Sequence, residues 1–158
     1  MQTAKQLSVM LTNKPGRLAD MLGALNKEKV NFLALTVMDR GDRGTVRFVP
    51  DDFAAAVKIL EKINVRFEPS DVLLVDVPNQ SGVLRKIFER LAAEHLNIDY
   101  AYCSINSGGN GRGAKGGGVA VIKVNDLAKA QRVLAESGMT PARTAKRKPT
   151  VRLPVFAR

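Results

Sequence analysis

Two short segments of the sequence carry residue types suited to holding a small zwitterion. Residues 13–18 read Asn-Lys-Pro-Gly-Arg-Leu, and residues 79–84 read Asn-Gln-Ser-Gly-Val-Leu. A glycine lets the backbone approach a ligand closely, and a helix that begins there presents unpaired N–H groups to a carboxylate. The asparagine amide can donate to a carboxylate or accept from an ammonium group. This chemistry favours ligand binding over bond cleavage.

The two segments belong to an internal repeat. Their offset of 66 residues (79 − 13) also pairs Leu7 with Leu73. Further on, an offset of 74 (127 − 53) pairs Phe53 with Leu127, so eight extra residues (74 − 66) lie in the loop 106–118 of the second copy. A repeat of this length predicts two copies of one small module. Since small modules bury little of their surface alone, we expect the copies to pack together.

Hydrophobic periodicity predicts the same order of elements in each copy. Alternating apolar residues are typical of half-buried strands, and apolar residues at helical spacing follow each Asn-x-x-Gly segment. The first copy is predicted to have strands at 6–11, 31–38, 45–49 and 65–67, and the second at 72–77, 98–105 and 119–124. The last strand of the second copy is either 139–142, which the short connection in the first copy favours, or 151–153. The order β-α-β-β-α-β is the ferredoxin-like split unit, an α+β fold.

These features together resemble the ACT domain, the small-molecule-sensing module of amino-acid metabolism. Its mark is Asn-x-Pro-Gly-x-Leu after strand one, then a helix, then a Val-Asn-Ile-like entry to strand two. Both copies have that entry, around Asn31 and Asn97, and the second copy departs from the motif with Ser81 in place of proline. The resemblance identifies a tandem ACT protein with modules at 5–69 and 70–142, followed by a basic tail at 143–158.

The resemblance implies an arrangement and a binding site. ACT modules often pair side by side into a continuous eight-stranded antiparallel sheet with helices on one face, and paired modules often pair again, so a homodimer is expected. Ligands, commonly amino acids, sit at the module interface against the strand-one loop and the start of strand two. Carried onto this sequence, the ligand-binding residues are Asn13, Pro15, Gly16, Arg17, Leu18, Asn31 and Phe32 in the first copy, and Asn79, Ser81, Gly82, Leu84, Asn97, Ile98 and Asp99 in the second.

Two points about this predicted site stay open at the level of sequence. Asp99 is a candidate partner for a ligand ammonium group, but its counterpart is Leu33, which implies that the two sites are not equivalent. Asn13 and Asn79 either cap their helices only, or cap them and also contact the ligand.

The remaining reactive residues argue against an enzyme. The chain has one histidine, His95, and one cysteine, Cys103, in unrelated places, so a nucleophile–base–orienter set is hard to build. We expect His95 on the surface at a helix end, Cys103 as a small buried residue, and Tyr100 and Tyr102 packed on one sheet face. No metal-ligand spacing occurs and no cofactor is expected.

Other sequence signals also favour a soluble binding protein. Residues 111–116 match G-x-G-x-x-G but join two strands, so a hairpin connection is expected there, or else a lid or a partner contact. No apolar run approaches the roughly 18 residues that span a bilayer, and the first residues lack the apolar run of a signal peptide. A cytoplasmic location without membrane attachment is the expectation.

Three functions remain open. The favoured one is a non-catalytic regulatory protein that binds an amino acid between its halves and shifts a population of conformations or oligomers. The second is a regulatory subunit of an amino-acid biosynthetic enzyme such as acetolactate synthase, whose small subunits begin with an ACT module but do not repeat it plainly. The third is a nucleic-acid-linked regulator that uses its tail. Residues 141–158 hold six basic and no acidic residues, against 19 basic and 15 acidic elsewhere, but no reading helix is visible, so nucleic acid is not favoured.

Overall fold

Strands and amphipathic helices alternate along the chain in the predicted order. In this computed structural model, which describes residues 2–106 and 117–138, the elements are β1 (Gln2–Thr12), α1 (Arg17–Lys27), β2 (Phe32–Arg40), β3 (Arg43–Pro50), α2 (Phe53–Lys62), β4 (Phe67–Pro78), α3 (Val83–Ala93), β5 (Ile98–Asn106), β6 (Gly117–Val124) and α4 (Leu127–Glu136). The bounds confirm the repeat, since α1 and α3 start 66 residues apart (83 − 17) and α2 and α4 start 74 apart (127 − 53). Within the described ranges, none of the helices combines the length and apolarity needed to cross a bilayer.

The strands form one antiparallel sheet in the order β2-β3-β1-β4-β6-β5. The sheet has six strands among the described residues. The prediction that residues 65–67 end copy one and residues 72–77 begin copy two as separate strands is wrong. Although Pro69, Ser70 and Asp71 are residue types typical of turns, the chain continues through 67–78 as the single strand β4, because residues 67–74 pair with β1 without a break. The two places predicted for a further strand, 139–142 and 151–153, lie outside the described residues.

The pairing of β1 with β4 joins the two copies. Residues 2–9 of β1 lie opposite residues 67–74 of β4, and Lys5 lies opposite Asp71, its own repeat counterpart (5 + 66). The axis that relates the copies therefore passes between these two residues. Their side chains also form an ion pair of 2.8 Å, but both are about half exposed. Because exposed ion pairs contribute only about 0–1 kcal/mol, the strand pairing is the main connection.

All four helices pack on one face of the sheet. Each copy buries its own cluster there, with Leu25 and Phe48 at the centre of the first and their counterparts Leu91 and Ile122 at the centre of the second. Full burial of such a side chain stabilises the fold by roughly 1.5–3 kcal/mol. The apolar stripes predicted for the helices are confirmed, because Met21 and the other inward-facing residues are buried.

The opposite face of the sheet curls into a concave surface. A third apolar cluster lies on it, centred on Val72, Leu74 and Val121. The curl is strong enough that the Tyr100 hydroxyl on β5 lies 2.6 Å from Nε2 of Gln6 on β1, although β4 and β6 lie between these strands. Interior packing thus occurs on both faces of one sheet.

The expectation of a buried Cys103 is wrong, because its side chain is exposed. Cys103 lies opposite Ala120 and therefore on the helix-covered face, but β5 is the outermost strand on its side. Its counterpart Val37, on the outermost strand β2, is likewise 50% exposed. The helices do not cover the two edge strands. His95 is exposed as predicted, at a positive φ of 56° just after α3.

Because β1 and β4 each span both copies, we predict that the copies unfold together. Leu7→Ala and Leu73→Ala each remove a fully buried side chain and should lower the free energy of unfolding by about 2–5 kcal/mol. Both tyrosines lie in the second copy and contact Gln6 and Arg47 of the first. Tyrosine fluorescence therefore reports on the second copy and its contact with the first, while circular dichroism reports on the backbone of both. In urea, Leu7→Ala should shift the two signals equally.

The control for this experiment is Val37→Ala, on an exposed side chain, which should change the free energy of unfolding by less than about 0.5 kcal/mol. Two separate transitions in Leu7→Ala, with tyrosine fluorescence unshifted, would contradict a jointly folded pair.

Candidate functional site

The first Asn-x-x-Gly segment forms a tight turn that opens α1. Gly16 is the N-cap residue with φ of 87°, a left-handed conformation that glycine adopts without strain. Lys14 N donates to the Thr12 carbonyl at 2.9 Å, and Asp20 N donates to the Gly16 carbonyl at 2.8 Å as the first helical bond. Asn13, Pro15, Gly16 and Arg17 are exposed, and Leu18 is half-buried against the core.

The second segment adopts the same geometry although Ser81 replaces the proline. Gly82 is the N-cap residue of α3 with φ of 83°, Gln80 N donates to the Pro78 carbonyl at 2.7 Å, and Lys86 N donates to the Gly82 carbonyl at 3.0 Å. Asn79 and Ser81 are exposed, and Leu84 is half-buried. The glycine conformation, and not the proline, is therefore what the two turns share.

The asparagines are not the N-cap residues of these helices. In copy one, Asn13 Nδ2 donates to the Gly41 carbonyl at 3.1 Å and Asn13 N donates to the Asp42 carbonyl at 2.9 Å, which ties the loop to the β2–β3 turn. Side-chain caps occur instead on the other two helices, where Asp52 accepts from Ala55 N and Asp126 accepts from Lys129 N. The helices α1 and α3 thus have no side-chain cap. Their first N–H groups donate instead to loop carbonyls, Arg17 N to Lys14 at 3.3 Å and Val83 N to Gln80 at 3.5 Å.

The starts of the second strands lie away from these loops. Asn31 N donates to Asp51 Oδ1 at 2.9 Å and Asp51 N donates back to the Asn31 carbonyl at 3.0 Å. Asn97 and Asn125 repeat this exchange at 3.1 and 3.2 Å. These bonds lie at the far end of β2 and β3 from the Asn13 loop. At about 3.3 Å per residue over a nine-residue strand, the separation is roughly 30 Å.

The structure therefore does not bring the two parts of each predicted site together within a copy. Phe32 packs edge-on against Phe48, with ring centroids 5.2 Å apart, and Ile98 packs partly into the second core. Asp99 is exposed, and its counterpart Leu33 packs against the concave cluster. A small ligand can contact a glycine loop or a strand start of the same copy, but not both.

A hollow of about 220 Å³ lies beside the second loop. It is lined by Val77, Pro78, Asn79, Gln80, Gly82, Leu84 and Arg85. At about 30 Å³ per water-sized group, it has room for about seven such groups, the size of a small amino acid. The Arg85 guanidinium is exposed and pairs with Glu89 at 2.8 Å. The hollow therefore combines an open helix N-terminus, an amide side chain and a cation.

A buried polar cluster on the concave face gave no signal in the sequence. Gln6 is fully buried, and its Nε2 lies 2.6 Å from the Tyr100 hydroxyl and 3.2 Å from Ser70 Oγ. The Tyr102 hydroxyl donates to Gln6 Oε1 at 3.0 Å. Burial raises the pKa of Tyr102 well above its ordinary value, and nearby Tyr100 raises it further, while Arg47 opposes the shift. The prediction that both tyrosines pack on one sheet face is confirmed.

Arg47 completes this cluster. Its guanidinium carbon lies 4.2 Å from the centroid of the Tyr100 ring, a cation–π contact, and Nη1 donates to the Met38 sulfur at 3.0 Å. Its Nε is buried and has no hydrogen-bond partner among the described residues. The repeat counterparts of Gln6, Ser8, Arg47 and Ser70 are Val72, Leu74, Val121 and Ala4, which all belong to the apolar cluster. At these four positions of the concave face, the polar residues thus have apolar repeat counterparts.

Comparisons with known proteins place the fold among ACT proteins. A family model described as an ACT domain pair matches residues 2–140. A crystal structure of a Bacteroides thetaiotaomicron protein is 32% identical, with a TM-score of 0.78 over 87% of this chain and 90% of that one. The regulatory subunits of aspartate kinase from Thermus thermophilus and Thermus flavus are 17% and 18% identical, with TM-scores of 0.61 and 0.58, each over 87% of this chain and 97% of the other. No curated protein matches the sequence significantly.

Replacing the two loop glycines tests the role of their positive φ. Gly16→Ala and Gly82→Ala should each lower the free energy of unfolding by about 1–2 kcal/mol, because a Cβ is disfavoured in the left-handed region. An added Cβ would meet no atom within 4 Å at either position, so the cost is conformational. Gly23, in the middle of α1, has the same open surroundings, and Gly23→Ala should instead raise stability by about 0.5–1 kcal/mol. Equal effects at all three positions in urea denaturation would contradict this account.

The raised pKa of Tyr102 predicts a loss of stability in alkali. Because the folded state holds the phenol proton more tightly than the unfolded state, the stabilisation is complete below the ordinary pKa of 10 and is lost as pH rises above it. The free energy of unfolding should fall more steeply between pH 9.5 and about 11 in the parent protein than in Tyr102→Phe. Parallel curves for the two proteins, measured by urea denaturation, would show that Tyr102 does not titrate this way.

Proposed function

The chain belongs to the ACT domain pair family, and from this premise we propose that it is a non-catalytic regulatory protein that binds an amino acid or similar small zwitterion at its glycine loops. The observation that carries the proposal is the hollow of about 220 Å³ at the start of α3. ACT domains are regulatory, and the fold is shared with regulatory subunits of aspartate kinase. Modules at 5–69 and 70–142 supply one loop each.

The chemistry of the hollow suits a ligand with a carboxylate. Val83 N makes a long bond of 3.5 Å to the Gln80 carbonyl, while the next N–H groups of α3 have no partner within the helix. These groups carry the partial positive charge of the helix and favour an anion. Arg85 lies on the same side and, although it pairs with Glu89 at 2.8 Å, has further N–H groups that can bond to a carboxylate. The Asn79 side chain adds an amide that can bind either an ammonium or a carboxylate. The side chain of the ligand would rest on Val77 and Leu84, which favours a small apolar amino acid.

The first loop is proposed as a second, weaker site. It presents the same N–H groups at Gly16, but Asn13 is already bonded to the β2–β3 turn. Residues of the predicted site that lie elsewhere, such as Asn31, Asn97 and Asp99, would then contact a ligand only where another protein chain supplies the loop. A homodimer that places such a loop there would complete the site.

Regulation would follow from differential affinity. A ligand that binds one arrangement of the chain better than another shifts the population toward it, by no more than the difference in binding free energy. The exposed apolar side chains Leu35 and Val37 on edge strand β2 give a surface on which a second copy or an enzyme of amino-acid metabolism could pack. Association through this edge is the step that a bound ligand would strengthen or weaken.

A thermal-shift screen against the twenty amino acids, followed by calorimetry, tests ligand binding. A ligand at about a hundred times its dissociation constant adds about 2.7 kcal/mol of stability, which raises the melting temperature of a chain of this length by about 5 °C or more. We predict that a small apolar amino acid gives this rise. Asn79→Ala should weaken its binding about tenfold, since it removes one hydrogen bond to a charged group.

The matched control is Asn13→Ala at the first loop, which should change the affinity of the tighter site less than Asn79→Ala does. The Gly16→Val, Gly82→Val double variant should bind no amino acid. If a ligand binds that folded double variant with unchanged affinity, the loops are not the site.

A further inference from the structure

A second hollow lies on the concave face, at the far end of β1. It has a volume of about 310 Å³ and is lined by Met10, Leu11, Thr12, Arg43 and Arg66. Met10 and Thr12 alternate onto the face that carries Gln6 and Ser8. Arg43 lies directly opposite Thr12 across β1 and β3. This hollow is therefore on the opposite face of the sheet from the helices.

Its two arginines approach from different strands. Arg43 begins β3, while Arg66 directly precedes β4 and is held in place because its carbonyl accepts from Met10 N at 3.1 Å. Both side chains are exposed. Within residues 2–106 and 117–138, neither guanidinium has a hydrogen bond or an ion pair. By contrast, Arg85 on α3 is paired with Glu89.

The charge of this hollow is not required by the fold. In the second copy, the position of Arg43 is held by Gly117 (43 + 74), and the position of Met10 is held by Asp76 (10 + 66). The backbone pairing is the same in both, since Thr12 lies opposite Arg43 and Pro78 lies opposite Gly117. One copy thus has a cationic hollow where the other has a carboxylate and a glycine.

Two acidic residues lie near the hollow but are not part of its lining, Glu68 and the exposed Asp42 that directly precedes Arg43. Glu68 lies opposite Ser8, two residues along the chain from Arg66, and is not part of the lining. Glu68 is exposed and forms no ion pair with a described residue. Arg47, four residues along β3 from Arg43, adds further positive charge to the face while its guanidinium stacks on Tyr100.

We propose that this hollow, which adjoins the first glycine loop at Thr12, is an anion-binding site for a small molecule with carboxylate or phosphate groups, distinct from the proposed amino-acid site at the start of α3. Two guanidinium groups on a shared hollow can each form paired hydrogen bonds to the oxygens of such a group. The Thr12 hydroxyl can donate a further bond. A volume of about 310 Å³ reaches the lower limit of the roughly 300–1,000 Å³ typical of small-molecule sites.

Calorimetry on the full chain in low salt tests the site with three probes: succinate, inorganic phosphate and the uncharged succinamide. We expect at least one of the two anions to bind and succinamide not to bind. Arg43→Gln and Arg66→Gln should each weaken binding about tenfold, and the double variant about a hundredfold. Arg132→Gln, which removes an exposed arginine of α4 outside both hollows, should bind as tightly as the parent. Circular dichroism of each variant confirms that it is folded.

The possible results distinguish a carboxylate ligand from a phosphate-containing one. They also distinguish this anion site from the proposed amino-acid site at the glycine loops. Binding of succinate alone assigns a carboxylate ligand, and binding of phosphate alone assigns a phosphate-containing one. If neither anion binds, or if the folded double variant binds as tightly as the parent, the site does not exist. Asn79→Ala should leave anion binding unchanged, so failure of this site and failure of the loop site can be told apart.

Discussion

The antiparallel pairing of β1 with β4 is the constraint on which the rest of the structure depends. Lys5 and Asp71, equivalent residues of the two copies, lie opposite one another, so the axis that relates the copies passes through the sheet between these two residues. Each of these strands serves both copies, β1 through Gln2–Thr12 and β4 through Phe67–Pro78. The two glycine loops follow the ends of these strands and therefore lie at opposite ends of the molecule. The register of the β1–β4 pairing therefore fixes the positions of both loops.

On this symmetric backbone, the two copies carry different chemistry. The helix-covered face is apolar in both, with Phe48 and its counterpart Ile122 fully buried. The concave face differs, since Gln6 and Arg47 correspond to Val72 and Val121. Burial of an amide is tolerated only when its hydrogen bonds are satisfied, and the two tyrosines of β5 satisfy those of Gln6. The repeat thus preserves the fold while it allows the two copies to bind different partners.

Local patterns in the sequence were sufficient to predict the elements but not their long-range contacts. The helices could be predicted because the spacing of apolar residues is a property of neighbouring residues. The joining of two expected strands into β4 could not, since it depends on sheet register across both copies. The burial of Gln6 and the exposure of Cys103 depend on the curl of the sheet and on how far the helices reach.

The same distinction between local patterns and long-range contacts applies to the candidate sites. The motif around Gly16 and Gly82 was sufficient to predict two exposed turns at helix starts, and both have the expected geometry. It did not show that the Asn31 and Asn97 strand starts lie far from the turns of their own copies, because that separation depends on the direction of each strand. The cationic hollow of Arg43 and Arg66 was equally hidden, since its residues are distant in sequence.

The central claim is that a zwitterionic ligand binds at the open N-terminus of α3. The most direct test is a titration followed by two-dimensional amide NMR, with the amino acid that stabilises the protein most. We predict that the amide signals of Gly82, Val83 and Leu84 shift most and saturate together with the calorimetric binding curve. Shifts confined to other segments, with these three amides unchanged at saturation, would contradict the account.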